Sequence, residues 1–136
     1  MPSATAESFI RALQQSEQTR DVEPLVEQFD DQAEVENLTA QSPARGRDGA
    51  REFWTKYLDS FQNVKSRFTH VFEADSVAVL EWISEGALPD GKPIRYRGVS
   101  VLELAGGRVR RFRTYYDSAA FVAPPAESAR AEPNTA

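Results

Sequence analysis

The feature that most constrains this chain is a series of four strand-like segments between residues 64 and 117. They are rich in β-branched and aromatic residues, and they cover residues 64–73, 77–88, 94–104 and 109–116. Two of the joining turns contain Asp90-Gly91 and Gly106-Gly107, which are strong signals of two-residue hairpins because such turns need positive φ angles, and a weaker turn lies over residues 74–76. The segments therefore predict an antiparallel meander.

Three helical patterns precede the meander. The first covers residues 4–15 behind the N-cap Ser3, and the second follows Asp21 with Pro24 in its first turn. A short strand is predicted over residues 34–38 and a loop over residues 42–47. The third helix opens at Gly46 or Asp48, and its apolar residues alternate at intervals of three and one, as an amphipathic helix requires: Ala50, Phe53, Trp54, Tyr57, Leu58 and Phe61.

Composition narrows the class of protein. The 136 residues suit one domain, which we place at residues 1–122, and the Pro-containing stretch 123–136 predicts a disordered tail. A net charge of −5 argues against a nucleic-acid partner, and no apolar run is long enough for a membrane span. The absence of cysteine suits the cytoplasm. The single histidine excludes a multi-histidine metal site, and no EF-hand spacing is present, whereas a carboxylate-only Mg²⁺ or Ca²⁺ site stays open. We expect neither a metal nor a cofactor.

Two-residue turns throughout the meander predict which side chains share each face of the sheet. The first face mixes apolar and polar groups like a small-molecule pocket: Arg67, Thr69, Val71, Leu80, Trp82, Ser84, Arg97, Val99, Val101, Phe112, Thr114 and Tyr116. The second face alternates charges with aromatic residues: Phe68, His70, Phe72, Val79, Glu81, Ile83, Glu85, Tyr96, Ser100, Leu102, Arg111, Arg113, Tyr115 and Asp117. We expect a homodimer through the part of this second face that carries Glu81, Arg111 and Arg113.

The order of these segments and several short motifs resemble a known family. The motifs are the acidic stretch 29–36, Gly46-Arg47, the run 51–54 and the final Tyr115-Tyr116-Asp117. Over residues 5–121 the chain resembles the SnoaL-like polyketide cyclase and ketosteroid isomerase group of the nuclear transport factor 2-like superfamily. The resemblance implies an α+β cone-shaped barrel, with three N-terminal helices on the concave face of a curved antiparallel sheet, and commonly a homodimer.

The residues that carry ketosteroid isomerisation in this group are replaced here. The resemblance puts Asn37 in place of the general-base Asp, Phe9 in place of the tyrosine donor and Val99 in place of the second oxyanion donor. None of these side chains can perform those roles, which excludes ketosteroid isomerase activity. The same alignment places Val99 on the concave face.

Two acids are candidates for catalysis. Asp117 lies near the end of the last strand, where the similar polyketide cyclases carry an acid, but the predicted register turns it outward. The alternative is that it ends the strand and pairs with an arginine or caps a turn. Glu36 lies beside Asn37 on the first strand. The candidate ligand-binding residues are Phe9, Asn37, Trp54, Tyr57, Trp82, Arg97, Val99, Phe112 and Tyr116.

Arg97 requires a partner if it faces an apolar pocket, since a buried unpaired charge is costly. That partner would be a ligand carboxylate or enolate, or an acid of the chain such as Glu34 or Glu36. His70 is predicted beside Glu81 on the opposite face, where a hydrogen bond between them is expected.

Together these observations predict a protein that binds a small, mostly apolar molecule carrying a polar oxygen. If it is an enzyme, we expect metal-free acid–base chemistry of an isomerase, cyclase or dehydratase. The alternatives are a binding protein without catalysis, or a dimerising accessory domain whose concave face is filled by Trp54 and Trp82.

Overall fold

The computed structural model describes residues 4–37 and 42–122. Helix α1 is longer than predicted, and the strands of the meander match the predicted segments to within one residue at each end. In chain order the elements are α1 (Ala4–Thr19), α2 (Glu23–Val26), β1 (Phe29–Asn37), β2 (Ala44–Arg45), α3 (Gly46–Asp59), β3 (Asn63–Ala74), β4 (Val77–Ala87), β5 (Pro93–Ala105), β6 (Arg108–Tyr116) and a 3₁₀ helix (Ser118–Phe121).

The strands form one curved, unclosed sheet in the order β2-β1-β6-β5-β4-β3. The meander from β3 to β6 is antiparallel throughout, as predicted, whereas β1 lies parallel to β6. Strand β1 begins at Phe29, five residues before the predicted strand, because its acidic first half gave no apolar alternation. The predicted loop over residues 42–47 contains β2 and the start of α3. Leu38 and the predicted tail lie outside the described residues.

The predicted register of the meander is wrong by one residue at β5. The loop between β4 and β5 spans residues 88–92 instead of two residues, so that Ala87 pairs with Pro93 and Trp82 with Gly98. The Gly106-Gly107 hairpin is a two-residue turn, as predicted, but an irregularity between Glu103 and Leu104 shifts the pairing beyond it. Because side chains alternate between faces, a one-residue shift turns the whole strand over. Arg97, Val99 and Val101 therefore lie on the outer face, and Tyr96, Ser100 and Leu102 face the helices.

The two shifts cancel between β4 and β6. Leu80, Trp82 and Ser84 consequently share the concave face with Phe112, Thr114 and Tyr116, as predicted. A further irregularity at Thr69 places Phe68 opposite Trp82 on the concave face and Arg67 opposite Ile83 on the outer face, which reverses both predictions. Val71 pairs with Leu80 and keeps its predicted face.

Helices α1 and α3 pack against the concave face through an aromatic cluster. Phe9 of α1, Trp54 of α3, Phe29 and Phe112 are all buried, and the Trp54 and Phe112 ring centroids lie 5.2 Å apart. Burying side chains of this size stabilises the fold by about 1.5–3 kcal/mol each. The result is the predicted α+β fold. Among the residues that the structure describes, no helix has both the length and the apolar character needed to cross a membrane.

Candidate binding cavity

A cavity of about 410 Å³ lies between the concave face of the sheet, helices α1 and α3, and the 3₁₀ helix. Its wall is predominantly aromatic, with hydroxyl groups at a few positions. The lining residues are Phe9, Leu13, Asn37, Phe53, Trp54, Lys56, Tyr57, Ser60, Phe61, Phe68, Trp82, Ser84, Tyr96, Ser100, Phe112, Thr114, Tyr116, Ser118 and Phe121.

The register of the sheet arranges the cavity floor in rows that run across the strands. One row joins Ser66, Ser84 and Tyr96 through neighbouring pairs of β3, β4 and β5. A second row joins Phe68, Trp82, Gly98 and Tyr116, and a third joins Ser100, Thr114 and Asn37. Paired residues point to the same side of the sheet, so every side chain of a row faces the cavity side. The hydroxyl groups of the first and third rows therefore form two lines, one on each side of the row that contains Trp82.

Gly98 makes room for the ring of Trp82. A Cβ atom at this position would lie 2.7 Å from Cζ2 of Trp82 and 2.3 Å from the backbone oxygen of Tyr115, distances that no side chain tolerates. The glycine therefore leaves the space that the indole ring occupies beside β5. From there the Trp82 Nε1 donates to Ser100 Oγ at 3.0 Å, and Ser100 Oγ lies 3.0 Å from Thr114 Oγ1.

A buried glutamate anchors the other line of hydroxyl groups. Glu17, near the end of α1, is only 5% exposed. Its Oε2 accepts from the Tyr57 hydroxyl and from Ser66 Oγ, each at 2.6 Å, and its Oε1 accepts from the Ser66 backbone N–H at 2.8 Å. Ser66 Oγ in turn lies 2.6 Å from Ser84 Oγ. Tyr57 and Ser84 line the cavity, so the network connects the carboxyl group to the cavity wall.

Burial sets the protonation behaviour of this network. Loss of solvent raises the pKa of Glu17, and the hydrogen bonds from Ser66 and Tyr57 oppose that rise. Burial and the adjacent Glu17 carboxylate raise the pKa of Tyr57 well above its usual value. Burial also raises the pKa of Tyr96, with Tyr116 and Glu17 adding to the effect and hydrogen bonding to Ser84 and Tyr57 opposing it. Both tyrosines are consequently neutral at physiological pH.

The 3₁₀ helix after β6 closes one side of the cavity. Phe121 packs edge-on against Tyr96, with 4.8 Å between the ring centroids, and Tyr96 stacks with Phe61 at 6.0 Å. The helix begins where the Asp117 carboxylate accepts from the Ala119 N–H at 3.1 Å. In contrast to these satisfied groups, the indole N–H of Trp54 is buried and meets no acceptor among the residues that the structure describes.

Most of the sequence-predicted binding residues lie in the cavity wall. They are far apart in the sequence, and the fold of the sheet and helices brings them together: Phe9, Asn37, Trp54, Tyr57, Trp82, Phe112 and Tyr116. Arg97 and Val99 do not belong to this set, because the register of β5 turns both onto the outer face. Placing Val99 at the isomerase donor position was therefore wrong: Gly98 and Ser100 are its inward-facing neighbours.

Neither candidate catalytic acid is part of the cavity wall. Glu36 lies on the outer face opposite Arg113, with its carboxylate 3.7 Å from Arg111 Nη2. Asp117 is exposed, and its carboxylate caps the 3₁₀ helix. In the described part of the chain, no three His, Asp or Glu side chains are grouped as a metal site would need.

Sequence reasoning missed Glu17, Ser66 and the closing Phe121. Glu17 has a detectable signal, since it follows Phe9 and Leu13 at successive intervals of four and so places an acid in the apolar stripe of α1. The predicted helix ends at residue 15, so the prediction for α1 does not include Glu17. Ser66 and Phe121 carry no comparable signal, because the first depends on strand pairing and the second on a turn after the last strand.

Comparisons with known proteins agree with this geometry. Residues 6–112 match the family model described as a SnoaL-like domain. No curated protein shows significant sequence similarity to the chain. Among solved structures, an NTF2-like protein from Anabaena variabilis superposes with a TM-score of 0.77 at 19% identity, covering 87% of this chain and 95% of that one.

Two further structures are similar to the chain over nearly their whole length. A protein assigned as a SnoaL-like polyketide cyclase from Jannaschia sp. CCS1 has a TM-score of 0.77 at 18% identity, covering 92% of this chain and 99% of that one. TerC co-crystallised with polyporic acid has a TM-score of 0.75 at 17% identity, covering 88% and 96% respectively. Such low identities establish the fold and leave the chemistry to the residues of the site. Because the family model matches most of this sequence, the chain belongs to the SnoaL-like domain family.

Proposed function

We propose that this protein binds a small, mostly apolar molecule carrying a polar oxygen in the cavity between its sheet and helices. A volume of about 410 Å³ falls within the range of roughly 300–1,000 Å³ that is usual for small-molecule sites. The aromatic wall suits a flat or polycyclic skeleton, and the hydroxyl lines give a polar oxygen a place to bind. This volume argues against the accessory-domain alternative, in which Trp54 and Trp82 would fill the concave face.

One observation carries the proposal: the buried Glu17 network reaches the cavity through Tyr57 and Ser84. A buried carboxyl group is costly to maintain, so a domain selected only for stability gains nothing by placing one beside an empty apolar space. The TerC structure, in which a neighbour of the same fold was co-crystallised with polyporic acid, is compatible with such a use of the cavity.

The enzymatic form of the proposal is metal-free acid–base chemistry, as in an isomerase, cyclase or dehydratase. Glu17, whose pKa is raised by burial, would take up or release a proton through Tyr57, while Ser84 holds the reacting oxygen. Ketosteroid isomerisation is not part of the proposal, because Asn37 and Phe9 lack its base and its donor. The alternative is ligand binding without chemistry, for which the same cavity suffices. The absence of cysteine supports a place of action in the cytoplasm.

The test is native mass spectrometry of the purified protein, followed by denaturation and identification of any released compound. We expect a co-purifying small molecule in the unmodified protein and its loss in Ser118→Trp, which fills the cavity rim. Ala119→Trp is the matched control, because Ala119 is exposed on the same 3₁₀ helix and lies outside the cavity wall. Equal retention in both variants would place any bound compound elsewhere. No bound compound, together with no thermal shift across a panel of apolar ketones and phenols, would refute the proposal.

We also propose that a second copy of the chain covers the outer face of the sheet. Glu81, Val99 and Tyr115 form a row across this face, and Tyr115 is 40% exposed. Val79, Val101 and Arg113 form the next row, where Arg113 is held by Glu103 at 2.6 Å. A half-buried aliphatic centre surrounded by paired charges is typical of a homodimer interface. The predicted contact between His70 and Glu81 is present at this face, with 2.6 Å between Nδ1 and Oε1.

A further inference from the structure

At a pH above the pKa of Glu17, the hydrogen atoms of its network can be assigned, because the ionised carboxylate has no proton to give. Both oxygens of Glu17 are acceptors, and the backbone N–H of Ser66 can only donate. The hydroxyl groups of Tyr57 and Ser66 must therefore both direct their single protons at Oε2. These three donors stabilise the ionised form and so oppose the rise in the pKa of Glu17 that burial causes.

The same reasoning fixes the direction of the next hydrogen bond. Ser66 Oγ has used its proton on Glu17, so in the 2.6 Å contact between the two serines Ser84 is the donor and Ser66 the acceptor. Ser84 is only 1% exposed and lines the cavity. Its proton points away from the cavity, and its remaining lone pair is the group that a ligand meets.

The protons of three hydroxyl groups are thus used inside the protein. Tyr57 and Ser66 donate to Glu17, and Ser84 donates to Ser66. Tyr57 and Ser84 line the cavity, so this side of the wall presents their oxygen lone pairs to a ligand.

From this assignment we propose that the polar oxygen of the ligand is a hydroxyl group that donates a hydrogen bond to the Tyr57–Ser84 side of the cavity, as a phenol, enol or alcohol does and a ketone does not. The proposal rests on the proposed function, because it specifies the ligand of the same cavity. The oxygen of a ketone can only accept hydrogen bonds, so its lone pairs would be repelled by the lone pairs of Tyr57 and Ser84. A hydroxyl would complete a chain of hydrogen bonds that ends at Glu17.

Three naphthalene probes of the same skeleton test the preference by isothermal titration calorimetry in slightly alkaline buffer. 2-Naphthol can donate a hydrogen bond, whereas 2-methoxynaphthalene and 2-acetylnaphthalene can only accept one. We expect 2-naphthol to bind about tenfold more tightly than either of the others, the difference that one satisfied hydrogen bond at a buried site makes.

Glu17→Gln should reverse the network. The backbone N–H of Ser66 can donate only to an oxygen, so we expect the amide oxygen of the glutamine to take the place of Oε1. The NH₂ group then takes the place of Oε2 and donates to the hydroxyl oxygens of Tyr57 and Ser66. The protons of Tyr57 and Ser84 are then free to point into the cavity. We expect the preference for 2-naphthol over 2-acetylnaphthalene to fall by about tenfold in this variant, mainly because the ketone binds more tightly.

Two further variants separate this effect from a general loss of structure. Tyr57→Phe removes one acceptor, so the affinity for 2-naphthol should fall while the affinity for 2-acetylnaphthalene does not rise. Glu7→Gln makes the same chemical change on an exposed position of α1 and should leave all three affinities unchanged.

The outcomes distinguish the two proposals. If all three probes bind equally, or if the ketone is preferred in the unmodified protein, the hydroxyl preference is wrong while the cavity remains a binding site. If Glu17→Gln folds, as judged by its melting curve, and retains the full preference for 2-naphthol, the assignment of the protons is wrong. If no probe binds to the unmodified protein, the proposed function itself fails, and the ligand preference fails with it.

Discussion

At the scale of single residues, Glu17 has the most unusual environment in the described structure. Three donors surround its carboxyl group, yet burial still raises its pKa, so the removal of water outweighs the hydrogen bonds. The group is therefore a net cost to the folded state when it is ionised. Its retention beside the cavity is easier to explain by binding than by stability.

The raised pKa of Glu17 predicts how stability depends on pH. In the unfolded chain the group loses its proton near pH 4.5, whereas in the folded protein it keeps the proton to a higher pH. The folded state then binds more protons than the unfolded state, and stability falls as pH rises from about 4.5 to the folded pKa. Glu17→Gln should abolish this contribution, so its free energy of unfolding should improve relative to the unmodified protein as pH rises through that window.

Urea unfolding of both proteins at a series of pH values measures this difference. Other carboxyl groups, such as Glu23 with its lowered pKa beside Arg51, contribute equally to both proteins and cancel. Glu7→Gln serves as the control and should show a constant difference. A difference between Glu17→Gln and the unmodified protein that is independent of pH would contradict the prediction.

At the scale of elements, the three helices and the four strands of the meander could be predicted from sequence, whereas strand β2, the start of β1 and the register could not. The alternation of β-branched residues marks β3 to β6, because that pattern reflects each strand alone. Which residues face each other depends on the five-residue loop before β5 and on the irregularity at Glu103, and neither has a strong local signal. Arg97 was consequently predicted in the pocket, although Trp82 and Tyr116 were placed correctly.

The end of α1 is tied to the end of α3 by one side chain. Arg20 has a left-handed backbone, with φ of 70°, and its Nη2 donates to the carbonyl oxygens of Leu58 at 2.9 Å and Phe61 at 3.1 Å. These carbonyl groups lie at and just after the last turn of α3, where a positive charge is favourable. Because Glu17 lies three residues before Arg20 and Tyr57 is next to Leu58, this contact also helps to position the two side chains of the cavity network.

Arg20→Ala should therefore destabilise the protein by about 1 kcal/mol, since it removes two hydrogen bonds at a partly exposed site. Alanine has the same steric restriction at positive φ, so the loss reports on the side chain and not on the backbone. Urea denaturation gives the measurement. Arg11→Ala, at an exposed position of the same helix, should change stability negligibly. Equal effects of the two substitutions would show that the contact between the helices has no energetic role.

At the scale of the whole molecule, the proposed homodimer predicts a defined response to one substitution. Val99 is half-buried at the centre of the outer face, between Glu81 and Tyr115. Sedimentation velocity at micromolar concentration should show a dimer for the unmodified protein and a monomer for Val99→Asp, because the new carboxylate would be desolvated in the interface without a partner.

Thr55→Asp introduces the same charge at an exposed position of α3 and should leave the dimer intact. A monomeric unmodified protein would exclude the interface altogether. A Val99→Asp variant that remains dimeric would locate the contact on another surface.

The parallel pairing of β1 with β6 also has a consequence for how the chain reaches this structure. The two strands are neighbours in the sheet but are separated by most of the sequence, so β1 has no partner on that side until residues 108–116 have left the ribosome. Until then Phe9, Phe29 and Trp54 lack Phe112, the ring that each of them contacts in the finished core. The aromatic core therefore cannot be completed before the last strand is available, and until then these rings can contact other molecules in place of Phe112.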